Sequence, residues 1–287
     1  RVRVLTSGFG DLPKSEIVNG VEIQRLNVGR REAFRADFRS MGVFVAKAIQ
    51  AGLFMGKGFK PDLIHSHFAV PAGAAAFALN RLKRIPYVIT VHLGDIPGAS
   101  PEKTGEWFKK IYPFTQAIWG LASKIIAVSQ FSHSLAQRSY QMPIDVIPNG
   151  IDRTKVKPEL PITVHDPVRI VFAGRFVPQK NIIQILRTLN ELKDLSWKAS
   201  LIGDGAEMEE IRAKVQANGL EDRIDLPGWL EPAEVVDRFQ KSDILFLPSR
   251  AEGLPIVGIQ ALAAGLALVL SSAGGNPEIV EDGANGY

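Results

Sequence analysis

Arg175 and Lys180 stand five residues apart in Gly174-Arg175-Phe176-Val177-Pro178-Gln179-Lys180-Asn181. The stretch follows a Val- and Ile-rich run and opens an amphipathic segment. An irregular loop lets both cations converge on one anion, Arg as a planar fork for phosphate oxygens and Lys as a mobile point charge. Each such contact is typically worth about 1.5–3 kcal/mol. Most Arg and Lys pairs are simply solvated, so the reading gains its weight from a second stretch, Glu252-Gly253-Leu254-Pro255. It lies between the apolar run Asp243–Pro248 and the apolar run Ile256–Ala261. The first run reads as a buried strand, and Pro255 as the first residue of a helix. Free N–H groups and the positive end of a helix dipole point outward at such a junction, which suits an anionic ligand. The Glu252 carboxylate can accept hydrogen bonds from hydroxyls. Its plain alternative is a helix-dipole contact worth about 0.3–1 kcal/mol. Gln260, one helical turn after Ile256, both accepts and donates through its amide, without the charge-assisted strength of a carboxylate.

Thr90-Val91-His92-Leu93-Gly94-Asp95 ends another strand-like run. A neutral imidazole at a strand end accepts or donates one hydrogen bond, and Asp95 would orient it or touch a second ligand. In Asp62-Leu63-Ile64-His65-Ser66-His67 the two histidines share one strand face, because that face repeats every second residue. A metal pair there lacks a third ligand, and zinc takes three or four, so no metal is expected. Gly203-Asp204-Gly205 lacks the third glycine of a dinucleotide fingerprint, so a hydride-transfer cofactor is not supported. Pro148-Asn149-Gly150 reads as a tight turn needing positive φ. Phe34, Phe38, Met41, Val45 and Ile49 form one helical stripe, with Arg31, Arg35 and Arg39 beside it. The plain reading is a core-facing helix with a solvated flank. The sharper one is a face for anionic lipid or a phosphorylated ligand, extended by Trp107–Phe114.

Strands and helices in alternation must position these groups. Expected strands are 2–6, 21–27, 63–67, 87–92, 125–128 and 145–148, then 169–173, 199–203, 223–226, 244–247 and 266–271. Asn181–Leu192 places Ile182, Ile185, Leu186, Leu189 and Leu192 at helical spacing behind an Asn cap. Ala206–Asn218 carries acids in its first turn and Gly219 just past its end. This alternation predicts α/β architecture with parallel sheets covered on both faces. Pro158, Pro161 and Pro167 among polar residues mark a linker, giving domains 1–155 and 156–287. Two doubly wound domains would face a cleft, with ligands outside the carboxyl ends of the strands.

Composition bounds the rest. A chain of 287 residues with 46% hydrophobic and 22% charged residues is an ordinary globular protein. The absence of cysteine excludes disulfides and thiolate metal sites. A net charge of +4 fits anionic ligands and is too small to argue for nucleic acid. The longest apolar stretch, Ile256–Leu270, is interrupted by Gln260 and Gly265 and falls short of a bilayer span.

Taken in order, these motifs resemble those of the retaining, nucleotide-sugar-dependent glycosyltransferases of the GT-B type grouped as family 4. The resemblance runs along essentially the whole chain. It implies transfer of a hexose from a nucleotide-diphosphate sugar, UDP- ahead of GDP-, to an acceptor hydroxyl with retention. Arg175 and Lys180 match the family's diphosphate loop, and Glu252 its donor-sugar carboxylate. Gly253, Leu254, Pro255 and Ile256 continue the same signature. His92 matches the strand-end histidine beside the donor sugar, and Gly203 and Trp229 fall in loops around the nucleotide. The one departure is Gln260, where the family's second Glu grips the ribose. Asp95, Arg35 and Arg39 are assigned to the acceptor side. No cofactor or metal is implied. The acceptor is a saccharide, a lipid or a small metabolite, the setting cytoplasmic, with peripheral contact at an anionic membrane as an option. Family members begin with a further strand and continue past Tyr287, so the chain reads as trimmed at both ends. The competing readings are a nucleotide-sugar epimerase on the same architecture and a weakened nucleotide-sugar-binding subunit.

Overall fold

The expected alternation of strand and helix is realised in parallel sheets. The computed structural model describes residues 1–30, 37–55, 58–99, 106–158 and 160–287, with backbone alone for 106–110. It divides into two units, Arg1–Val128 with Ser132–Ile147, and Ser129–Phe131 with Pro148–Tyr287.

Among the described residues the first unit holds two sheets. β1 (Arg3–Ser7), β2 (Ser15–Val18) and β3 (Val21–Leu26) associate in the order β1-β3-β2. β1 runs parallel to β3, and β2 antiparallel to it. β2 was not among the expected strands. Asn19 and Gly20 both take positive φ, at 51° and 79°, and so close β2 and β3 into a two-residue hairpin. α1 (Phe38–Leu53), β4 (Ile64–His67), α2 (Ala74–Lys83), β5 (Tyr87–Val91), α3 (Glu106–Gly120), β6 (Lys124–Ala127), α4 (Gln130–Gln137) and β7 (Asp145–Val146) follow. The second sheet is parallel throughout, in the order β4-β5-β6-β7. A cavity of about 1130 Å³ is lined by β1, β4, α1 and α2.

α1 starts where the Asp37 carboxylate accepts the Ser40 N–H at 2.6 Å. Its buried residues are Ser40, Ala48 and Gly52, not the bulky stripe expected from spacing. Gly52 is the reason: a Cβ there would lie 2.5 Å from Leu79 Cδ1, so α1 meets α2 through its small residues. Phe38 is consequently 61% exposed, and Arg39 points into solvent beside it. Arg31, Phe34 and Arg35 lie outside the described residues.

The second unit is one five-stranded parallel sheet. Its elements are β8 (Val168–Ala173), α5 (Ile182–Glu191), β9 (Trp197–Ile202), α6 (Met208–Ala217), β10 (Ile224–Gly228), α7 (Pro232–Gln240), β11 (Ile244–Leu247), α8 (Ile256–Ala263) and β12 (Ala267–Leu270). The order β10-β9-β8-β11-β12 reverses direction between β8 and β11. Phe172, Phe176, Ile182, Ile185, Leu186, Leu189, Leu201, Leu245 and Leu247 are fully buried between sheet and helices. Each such side chain contributes about 1.5–3 kcal/mol. The boundary between units falls at Ile147–Pro148, ahead of the expected 155–156. Asn149 Nδ2 donates to the Leu254 carbonyl at 2.9 Å, and Val156 enters the second core, which ties this stretch to the second unit. Asn149 and Gly150 do not take the positive φ expected of them. Among the described residues no helix is long and apolar enough to cross a membrane.

Candidate active site

In a doubly wound sheet the loops on either side of the strand-order reversal diverge and leave a crevice at the carboxyl ends. Here those are the loops after β8 and β11, which carry Arg175 with Lys180 and Glu252 respectively. The two loops are laced together. Lys180 Nζ donates to Glu252 Oε1 at 2.6 Å, with side chains 15% and 9% exposed. Gln179 Nε2 donates to the Ala251 carbonyl at 2.7 Å, and the Arg250 N–H to the Gln179 carbonyl at 2.8 Å. Asn181 Nδ2 donates to the Pro248 carbonyl at 3.2 Å. Asn181 is therefore not the side-chain cap expected for α5. It takes a left-handed conformation, φ 55°, at the end of the turn Pro178–Lys180 and spends its amide across the crevice. Pro255 precedes α8 in extended conformation, one position earlier than its expected place inside the helix.

Two further loops press on this pair, with glycine main chain at the closest points. A Cβ on Gly203, after β9, would lie 1.8 Å from the Gly174 carbonyl oxygen. After β12, Cβ atoms on Gly274 and Gly275 would lie 2.0 and 1.9 Å from the carbonyl oxygens of Glu252 and Gly253. The Gly275 N–H donates to the Glu252 carbonyl at 3.0 Å. Behind them Ser271 Oγ donates to the Ser249 carbonyl at 2.5 Å, and Asn276 Nδ2 to the Ser271 carbonyl at 3.0 Å. Ser249, Ser271, Gly274, Gly275 and Asn276 were missed in the sequence reading. The paired glycines directly after a Val- and Leu-rich run were the available signal.

Glu252, Gly253, Leu254 and Pro255 are buried, and Ile256 is exposed. Arg175 and Gln260 are half-buried, and Trp229, after β10, is 59% exposed. Gln260 stands on α8, one turn in, with its amide unspent on protein partners among the described residues. The second unit thus gathers Arg175, Lys180, Gly203, Glu252 and Gln260 on loops and one helix at a single edge of its sheet. Cations there can hold phosphate oxygens, a carboxylate can hold sugar-type hydroxyls, and an amide can do both kinds of hydrogen bonding.

His92 belongs to the first unit, directly after β5. β4 and β5 pair with His67 opposite Thr90, so His92 is the next residue on that face. His67 Nδ1 and His92 Nε2 are 2.8 Å apart, and His65 Nε2 lies 2.8 Å from Thr90 Oγ1. Burial pushes His92 down to about 4, helped by the neighbouring His67 and His65. His67 is lowered too, by burial and then by His65. Both rings are neutral at pH 7. Asp95 is buried, with Oδ2 accepting the Ala69 N–H at 2.9 Å and Oδ1 the His92 N–H at 3.1 Å. Burial pushes its carboxyl up to about 6 against these N–H donors. Both Asp95 oxygens accept main-chain N–H groups, so it fixes the backbone at Ala69 and His92 rather than the imidazole. Among the described residues no three His, Asp or Glu side chains converge as metal ligands.

Comparison with known families decides what this frame is. Residues 1–155 match the model of Glycosyltransferase Family 4, and residues 153–287 that of Glycosyl transferases group 1. The chain belongs to glycosyltransferase family 4. An uncharacterised glycosyltransferase of Methanocaldococcus jannaschii is 33% identical over 225 residues, covering 78% of this chain and 60% of that protein. The amylovoran biosynthesis glycosyltransferase AmsK of Erwinia amylovora is 28% identical over 243 residues, covering 80% of this chain and 58% of its own. This family 4 chain therefore spans about three fifths of the length of those relatives. Sucrose-phosphate synthase from Thermosynechococcus elongatus superposes with a TM-score of 0.83 at 20% identity, covering 99% of this chain and 74% of that one. The shared architecture is the GT-B fold.

Proposed function

We propose that the protein transfers a hexose from a nucleoside-diphosphate sugar to an acceptor hydroxyl with retention at the anomeric carbon. The observation that carries this reading is the Lys180–Glu252 contact at the strand-order reversal. One loop brings the cation a diphosphate needs, and the other brings the carboxylate a sugar needs. Membership of family 4 supports the same assignment. Arg175 and Lys180 hold the diphosphate oxygens and stabilise the charge that grows there as the bond to the anomeric carbon breaks. Glu252, with the backbone of Gly253 and Leu254, holds the donor sugar. Gln260 hydrogen-bonds the ribose, Gly203 and Trp229 border the nucleotide, and His92 serves the reaction side. The anomeric carbon–oxygen bond breaks with its electron pair passing to the diphosphate. The acceptor oxygen bonds to the same face, and its proton goes to a diphosphate oxygen. No metal enters these steps, because the two cations supply the neutralising charge. A saccharide acceptor is the first choice, since the relatives include the amylovoran biosynthesis glycosyltransferase AmsK. Arg39 and the exposed Phe38 and Phe114 are the residues through which an anionic surface would be met.

Calorimetric titration of UDP, GDP and ADP into the chain tests the proposal. UDP is expected to bind, and Lys180→Ala to weaken it at least tenfold, about 1.4 kcal/mol. Equal affinity in the Lys180→Ala protein would remove the diphosphate assignment. Binding without transfer to any acceptor would favour the binding-subunit reading that Gln260 raises, and isomerised sugar without acceptor the epimerase.

A further inference from the structure

His67 has no part in the proposed transfer, yet it holds the nitrogen that His92 would otherwise present. The Nδ1···Nε2 separation of 2.8 Å allows one proton between the rings, since a neutral imidazole carries one donor and one acceptor nitrogen. Two arrangements satisfy it. His92 Nε2–H can donate to His67 Nδ1, which puts both rings in the Nε2–H form that a free neutral imidazole side chain prefers. The reverse puts both rings in the less favoured Nδ1–H form. The surroundings hold the pair in place. His65 stacks on His67 with centroids 4.7 Å apart, His67 on His92 at 5.1 Å, and Phe68 tilts against His92 at 4.9 Å. His65 is itself fixed by Thr90, and the His92 backbone N–H by Asp95. His65 bonds Thr90 and Asp95 bonds main-chain N–H groups, so among the described residues His67 is the partner of the His92 ring nitrogen.

We propose that His67 is a positioning residue that locks His92 in the Nε2–H tautomer, leaving His92 Nδ1 as a bare acceptor for a hydroxyl of the ligand. The inference rests on the reading of His92 as a site residue only for its functional consequence; the tautomer itself is a property of the unliganded protein. The ligand group it selects is an O–H donor, such as a sugar hydroxyl, over an acceptor such as a phosphate oxygen.

Long-range proton–nitrogen spectra of ring-labelled histidines in the unliganded protein at neutral pH test it. His92 is expected to show a protonated Nε2 and a bare Nδ1. His67→Leu should move His92 toward the mixture of tautomers seen in free histidine. His67→Asn, whose Oδ1 can stand where Nδ1 stood, should restore the wild-type pattern. A protonated His92 Nδ1 in the wild type, or an unchanged His92 in His67→Leu, overturns the proposal. A protonated Nδ1 in the wild-type spectrum overturns it even if a variant fails to fold. Sugar transfer measured on the same proteins is a separate readout. A shifted tautomer in His67→Leu with full transfer upholds the positioning and removes His92 from the reaction.

Discussion

Glu252→Gln should make the protein bind UDP more tightly while making it a poorer sugar transferase. In the resting site Lys180 is held by Glu252 at 2.6 Å, both side chains largely shielded from water. A diphosphate must therefore compete with a carboxylate for the ammonium group. A hydrogen bond to a charged partner is worth about 1.5–3 kcal/mol and one to a neutral amide about 0.5–1.5 kcal/mol. The substitution keeps the shape and the acceptor oxygen but lowers what the phosphate must displace by about 1–1.5 kcal/mol. That is roughly a five- to tenfold tighter UDP complex. The donor sugar moves the other way, because its hydroxyls lose a charged acceptor. The ratio of UDP-sugar affinity to UDP affinity should fall, and turnover with it. Calorimetry with UDP and with a UDP-sugar, at fixed ionic strength, measures both. If UDP binds the variant no better than the wild type, while Lys180→Ala still weakens it, Glu252 does not compete for Lys180 and the reasoning fails.

Other perturbations follow from the same geometry. Gln260→Glu should strengthen nucleoside binding by roughly 1 kcal/mol, the gain from a charge-assisted acceptor; weaker UDP binding would refute its ribose role. Gly275→Ala puts a Cβ 1.9 Å from the Gly253 carbonyl oxygen and should destabilise the second unit by about 1–3 kcal/mol in denaturant titration. An unaltered midpoint would show that the contact can relax freely. Asp95→Asn presents an NH₂ group to one of two buried N–H donors and should cost about 1–3 kcal/mol. Its effect on pH dependence has a definite sign. His92, lowered to about 4, binds its proton more readily when unfolded, so its stabilisation is present above pH 6.5 and lost as pH falls toward 4. Asp95, raised to about 6, binds its proton more readily when folded, so it stabilises below pH 3.8 and loses that as pH rises through 6. The two slopes oppose each other, and Asp95→Asn should steepen the acid loss of stability between pH 6 and 4. A slope identical to wild type would count against the buried carboxyl.

The sequence disclosed what lies within a few residues of itself. Runs with apolar residues located every strand of the second unit, most plainly β11 and β12, which are apolar throughout as strands covered on both faces are. Arg175, Lys180 and Glu252 were visible as residue types at strand ends. Their pairing was not, since Lys180 and Glu252 are 72 residues apart and meet only because β8 and β11 are neighbours. The same holds for His67 and His92, legible as two strand ends but not as one shared proton. β2 was overlooked for a different reason. Its Ser15–Val18 is too short and too polar to announce a strand, although Asn19-Gly20 carried the turn. The buried face of α1 was misplaced because hydrophobic spacing favours large residues, whereas close approach to Leu79 selects small ones.

The main-chain contacts of Gly203, Gly274 and Gly275 separate the frame of the site from what it displays. At their closest points the loops after β9 and β12 meet those after β8 and β11 glycine to carbonyl. Exchanging Gln260 therefore leaves the joint untouched, and its chemistry can change without refitting the loops. The converse is a narrow tolerance at Gly203, Gly274 and Gly275, where any side chain would strike a carbonyl oxygen. Inherited variation in this chain should accordingly be narrowest at these three glycines.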